Sequence, residues 1–292
     1  MLKRIKWRSV LFVFLWLISL SGLIVLMSFI EIKKTENTCK EIRVILPGNQ
    51  FFIERAEIDE ILASKNGLLI GRRLSNINLQ KLEDRLRANP FIEYANVFAD
   101  MNGVINADIK QRVPVLRVLN VAGQDYYIDQ NGLKIPLSNH FTARVLAVNG
   151  LITEGFSGKI DTLRTELGKD LFKVAAFIAA DTLWNDQIVQ MFVNDKKEIE
   201  LVPRVGLQKI ILGDADNVED KFKRLMIFYK KAIPHVGWDA YSSINLKFNG
   251  QVVCEKSDST LVRMEKIKKE LRDSIRKEEA AKLAKDTIKN TI

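Results

Sequence analysis

The chain is short of the residues that carry most catalytic and metal chemistry. Its 292 residues include two histidines, His140 and His235, and two cysteines, Cys39 and Cys254. No Cys-x-x-Cys or His-x-x-x-His spacing occurs, so a zinc site has no ligand set. No Gly-x-Gly-x-x-Gly follows a strand-like run. Ser157-Gly158-Lys159 lacks the upstream glycine and the following Ser or Thr of a phosphate loop. Asp129-Gln130-Asn131-Gly132 begins like a calcium loop but lacks the later acids, above all the closing Glu, and reads as a hairpin turn. No Ser, Cys or pair of acids stands in a catalytic setting. The sequence therefore predicts no catalytic residue, metal, cofactor or small-molecule substrate.

Basic charge is scarce where nucleic acid would need it. Of the net +9, the first ten residues carry +4 through Lys3, Arg4, Lys6 and Arg8, and residues 263–289 carry another +4. About +1 remains for everything between, too little for a groove that tracks phosphates.

Charge is wholly absent from Leu11 to Ile30 (LFVFLWLISLSGLIVLMSFI). As a helix this run spans about 30 Å, the hydrocarbon thickness of a bilayer. A cleaved signal peptide would have a shorter apolar core and a small-x-small cleavage site. Here the run passes directly into Glu31 and Lys33. The basic cluster before it predicts a retained anchor: residues 1–10 cytoplasmic, 11–30 transmembrane, and the remainder outside the cytoplasm. Cys39 and Cys254 are read as unpaired thiols in that space; a disulfide joining them is the open alternative.

The first folded unit, residues 40–112, reads β-α-α-β-β. Ile42–Leu46 is a strand, and Ile58, Ile61 and Leu62 mark a helix over 53–64. A second helix is capped by Asn78, carries Leu79, Leu82 and Leu86 on one face, and stops at Asn89-Pro90. Two alternating strands, Tyr94–Asp100 and Val104–Gln111, flank Asn102-Gly103. Residues 113–256 read as a mostly antiparallel β-rich domain. Its strands include Val145–Val148, ended by Asn149-Gly150, then Ile188–Val193, Glu198–Pro203 and Gln208–Leu212. Helices are expected over Leu163–Trp184 and Val218–Lys231. A last pair, Ser243–Phe248 and Gln251–Glu255, is joined at Asn249-Gly250. Residues 257–292 form a charged, helical tail with a narrow seam of Met264, Ile267, Leu271 and Ile275, read as a solvated appendage. The fold class is thus α+β behind an N-terminal membrane helix.

Several segments, in order, resemble the FtsQ/DivIB cell-division proteins. Asn89-Pro90-Phe91-Ile92 with Ala95-Asn96-Val97 is similar to the stretch after the second helix of the family's POTRA domain. Ile109–Val115, with Arg112 and Pro114, resembles the segment leading into the family's β domain. Tyr127–Gly132, with Asp129 and Gly132, resembles its hairpin. Ile211-Leu212-Gly213 and Ile244–Phe248 with Gln251–Val253 resemble its closing motifs. Gln111 departs from the family's usual acid, and Asn245 and Lys247 from its Asp and Arg. The resemblance implies a non-enzymatic inner-membrane scaffold of the division septum that links early to late division proteins. It would bind FtsB/FtsL through its terminal strand: Leu246, Lys247, Phe248, Asn249, Gly250, Gln251, Val252 and Val253. Lys247 is then either a salt-bridging cation or a solvated charge, and Phe248 either an apolar anchor or a core residue. A POTRA-bearing secretion or assembly factor would need a long β-barrel after POTRA. A membrane-anchored cell-wall enzyme would need a nucleophile or metal set.

Overall fold

The computed structural model describes residues 7–48, 52–63, 68–121 and 123–262, together with Met264, residues 266–269, Arg272 and Arg276. The chain opens with α1 (Trp7–Glu36). From Leu11 to Met27 its side chains are uncharged and exposed. That stretch is about 25 Å long, and among the described residues no helix is long and apolar enough to cross a membrane. The expected cytoplasmic residues 1–6 and the side chains at 28–30, which complete the expected span, lie outside the described residues.

The chain divides into two compact units. The first comprises residues 1–112 and, from later in the chain, Ser138–Thr142; the second comprises Val113–Leu137 and residues 143–292. In the first unit β1 (Glu41–Ile45), α2 (Arg55–Ala63), α3 (Leu79–Arg87), β2 (Ile92–Ala99) and β3 (Val104–Gln111) build a sheet of order β1-β3-β2. β1 runs parallel to β3 and β2 antiparallel to it. Asn78 caps α3 by accepting from the Lys81 N–H at 2.9 Å. Leu82 and Leu86 of α3 and Ile58 and Leu62 of α2 are buried with Ile92, Ala95, Ile105 and Ile109 of the strands. Phe52 is fully buried, stacked on Phe91 at 5.6 Å and edge-on to Phe141 at 5.1 Å. Phe141 and Ser138, whose hydroxyl donates to the Phe52 carbonyl at 3.2 Å, come from the returning segment.

The second unit is a ten-stranded sheet. Its strands are β4 (Pro114–Val118), β5 (Tyr126–Asp129), β6 (Leu133–Pro136), β7 (Leu146–Gly150), β8 (Asp161–Thr162), β9 (Ile188–Val193), β10 (Ile199–Pro203), β11 (Lys209–Gly213), β12 (Tyr241–Asn245) and β13 (Val253–Lys256). Their order is β13-β12-β11-β10-β9-β7-β4-β5-β6-β8. Most neighbours are antiparallel, but β4–β7, β7–β9 and β11–β12 are parallel. Each parallel step needs a long crossover. α4 (Glu166–Ala180) and α5 (Thr182–Gln187) lie between β7 and β9; α6 (Val218–Lys231) and α7 (Ile233–Val236) lie between β11 and β12. Leu171, Val174 and Ile178 of α4, Trp184 of α5, and Phe222 and Leu225 of α6 pack into the same core as the strands.

Three expectations need correction. The helix expected over 163–184 is two, because Asp181 takes an extended backbone and its carboxylate caps α5, accepting from Leu183 N and Trp184 N. Asn149-Gly150 is not a strand-ending turn: both residues lie in β7 and pair with Phe192 and Val193. Gly150 holds φ of 106°, and a Cβ there would stand 2.1 Å from the Val193 carbonyl oxygen. Gly150→Ala should therefore cost about 1–3 kcal/mol, read as a lower thermal midpoint. The last strand pair is shorter than expected: β12 stops at Asn245 and β13 starts at Val253, leaving 246–252 as a structured loop.

One polar cluster is interior. Lys134 of β6 is fully buried, and its ammonium donates to Glu154 Oε1 at 2.8 Å and to the Gly155 carbonyl at 2.8 Å. Glu154 also accepts from Arg164 N, Thr165 N and the Thr165 hydroxyl, at the N-terminal end of α4. Burial acts to raise the Glu154 pKa. The bonds from Lys134, Thr165 and Arg164 outweigh it and bring it down to about 2.

The C-terminal edge of the second sheet as candidate functional site

β13 pairs with β12 on one side and, among the described residues, has no strand on the other. It is therefore a sheet edge, with backbone N–H and C=O groups available to an incoming strand.

The loop leading into this edge is held from below by one side chain. Arg224 of α6 is almost wholly buried and is fixed through Nε to Asp220 at 2.8 Å. Its Nη1 donates to the carbonyls of Phe248 at 2.8 Å and Gln251 at 2.5 Å, and its Nη2 to that of Leu246 at 3.0 Å. A planar guanidinium suits this task, since its donors fan out in a fixed fork. Three carbonyls are turned inward by one residue. Asn245 Oδ1 accepts from Lys247 N at 3.0 Å and starts the loop.

The sequence-predicted residues now have places. Leu246 is fully buried and belongs to the core. Val252 is partly buried against that core. Phe248 and Val253 are about half exposed, and Asn249, Gly250 and Gln251 are exposed in the loop. Lys247 is neither free nor merely solvated: its ammonium sits 2.7 Å from Glu198 Oε1. Its stem crosses Gly213, where a Cβ would approach Lys247 Cγ to 2.8 Å. The bond from Lys247, with one from Asn194, holds the Glu198 carboxyl below its usual range.

The other motif residues lie at strand junctions. Arg112 donates its N–H to the Phe91 carbonyl at 2.9 Å in the first unit. Pro114 opens β4 opposite Asp129. Buried Asp129 accepts from Asn131 N and Leu133 N at 2.9 Å each, and Gly132 completes that turn. These contacts are those of a hairpin turn. Among the described residues no cluster of His, Cys, Asp and Glu could hold a metal. Cys39 and Cys254 are free thiols, each with its pKa raised by burial.

Residues 113–255 match the family model described as FtsQ/DivIB, C-terminal related, and residues 37–110 match that of the POTRA-like domain. The chain belongs to the FtsQ/DivIB family. No curated protein matches it. These domains are those of non-catalytic cell-division scaffolds. The departures from the FtsQ/DivIB motifs become chemically mild in this light. Gln111 uses only its carbonyl oxygen, accepting from buried Phe52 N at 2.8 Å, as a carboxylate could. Asn245 likewise acts as an acceptor. Sequence reasoning missed Arg224 and Glu198, which meet the loop from α6 and from the turn before β10. Arg224 carried no signal beyond its helical i,i+4 spacing from Asp220.

Proposed function

We propose that this FtsQ/DivIB-family protein is a non-enzymatic, single-pass scaffold of the bacterial divisome that captures FtsB/FtsL-like partners by strand addition to β13. In this reading α1 is the anchor over 11–30, residues 1–10 are cytoplasmic, and the POTRA-like domain (40–112), the β domain (113–256) and the tail (257–292) lie outside. It sits at the septum and links early to late division proteins. The observation that carries the reading is the free edge of β13 beside a loop already held in place by Arg224. Backbone pairing supplies affinity, the half-exposed Phe248 ring supplies an apolar anchor, and the prearranged loop lowers the ordering cost of binding.

Phe248→Ala in the full chain should weaken FtsB/FtsL capture about tenfold with a nearly unchanged thermal midpoint. Unchanged capture would remove Phe248 from the site; equal loss of capture and folding would make it a core residue. Lys247→Glu is a harsher change, since it places two carboxylates together at Glu198. A periplasmic reporter fused after Glu255 should be active, and an inactive one would overturn the topology. Truncation after Ser257 should leave division intact, because Met264 and Ile267 are exposed in the helical part of the tail. Leu271 and Ile275 of its expected seam lie outside the described residues. Filamentous cells at normal protein levels would show that the tail takes part.

A further inference from the structure

The sheet of the first unit also has two edges, β1 and β2. On β2 the Ala95 carbonyl accepts from Arg87 Nη2 at 3.1 Å, and the Val97 N–H donates to Glu83 Oε2 at 3.2 Å. Glu83 and Arg87 stand one turn apart on α3 and pair with each other at 2.6 Å. The C=O of one residue and the N–H two places on are the two groups that a single residue of a parallel strand would engage. The guanidinium takes the place of that residue's N–H, and the carboxylate the place of its C=O. β1 carries a lighter version: Arg55, held by Asp59 at 3.0 Å, donates to the Ile42 carbonyl at 3.4 Å. At the far end of the second sheet, β8 is only two residues long. Short strands and charged cover are the usual means of blunting an edge.

We infer that Glu83 and Arg87 determine which edge takes a strand, closing β2 against edge-to-edge pairing with a second copy of this chain. The role of β13 rests on the proposed function above; the cover on β2 stands without it. Two variants of the full chain in detergent micelles test it by sedimentation equilibrium with hydrogen exchange. Glu83→Ala with Arg87→Ala uncovers both backbone groups. Glu83→Arg with Arg87→Glu keeps the net charge and the helical pair but sets a donor against the Val97 N–H. Both should self-associate at least about tenfold more tightly than the parent, with residues 92–99 gaining protection as concentration rises. Glu83→Gln, which retains the acceptor, should behave as the parent does. If the double alanine variant fails to fold, the exchanged pair decides. Parent-like association in the exchanged pair, or association without added protection at 92–99, would overturn the inference. FtsB/FtsL capture at β13 should persist in every variant. If the parent itself fails to capture, the proposed function falls while the β2 result still stands.

Discussion

Glu154→Ala should destabilise the second unit by about 3–5 kcal/mol, the range for removing one partner of a buried ion pair. The fully buried Lys134 ammonium would lose its nearer anion and keep the Gly155 carbonyl and the more distant Asp161 carboxylate at 3.4 Å. Lys134→Met should cost less, because Glu154 would retain donors from Arg164 and Thr165. Combining Lys134→Met with Glu154→Leu should recover part of the loss, since a matched apolar pair removes both desolvation costs. Denaturant titration of the parent, Lys134→Met, Glu154→Leu and the double variant gives the coupling directly. The same carboxylate sets an acid limit. Its pKa falls from about 4.5 in the unfolded chain to about 2 in the fold. Its contribution, roughly 3 kcal/mol by linkage, is full above the unfolded value and is lost as pH drops through the folded one. Stability should therefore decline between about pH 4.5 and pH 2, and Glu154→Gln should flatten that decline.

Arg224→Ala should release the 246–252 loop. Hydrogen bonds from a charged donor are worth about 1.5–3 kcal/mol each, and three carbonyls lose theirs here. Some of that returns as hydration of an exposed loop, so the net destabilisation should be about 2–3 kcal/mol. Amides of 246–252 should exchange on the order of a hundredfold faster, while those of α4 stay as they were. Under the proposed function, capture of FtsB/FtsL-like partners should weaken at least about tenfold, because the partner must then order the loop itself. Arg224→Lys should rescue little, since one ammonium cannot reach three carbonyls in a fixed fork. Unaltered loop exchange would show that the clamp is dispensable.

The first unit was legible because its information is local. The Asn78 cap, the Leu82–Leu86 spacing and the Asn102-Gly103 turn lie within a few residues of the structure that they specify. The second unit was legible strand by strand but not in its pairings. β4 touches β7 and β7 touches β9 in parallel, and nothing in a strand's own alternation states which neighbour it takes. Asn149-Gly150 misled for a related reason: it has turn chemistry, but its glycine serves the close approach of Val193. At the candidate site the sequence marked the segment, yet not its internal division. Leu246 faces the core and Phe248 the solvent because Arg224 pins the loop from more than twenty residues away in the chain. Lys247 looked available to a partner, and only the fold brings Glu198 to it.

The first unit has a delayed completion built into it. Ser138–Thr142 supplies the ring of Phe141 and the hydroxyl of Ser138 to Phe52. A ribosome that has delivered everything through Arg112 has therefore not delivered the whole of that unit. Until about thirty more residues emerge, Phe52 lacks the Phe141 ring and the Ser138 hydroxyl, and the nascent unit exposes that aromatic face in the interval. A chain cut between Arg112 and Ser138 would hold that patch open for good, and should stick to chaperones or to its own copies rather than fold cleanly.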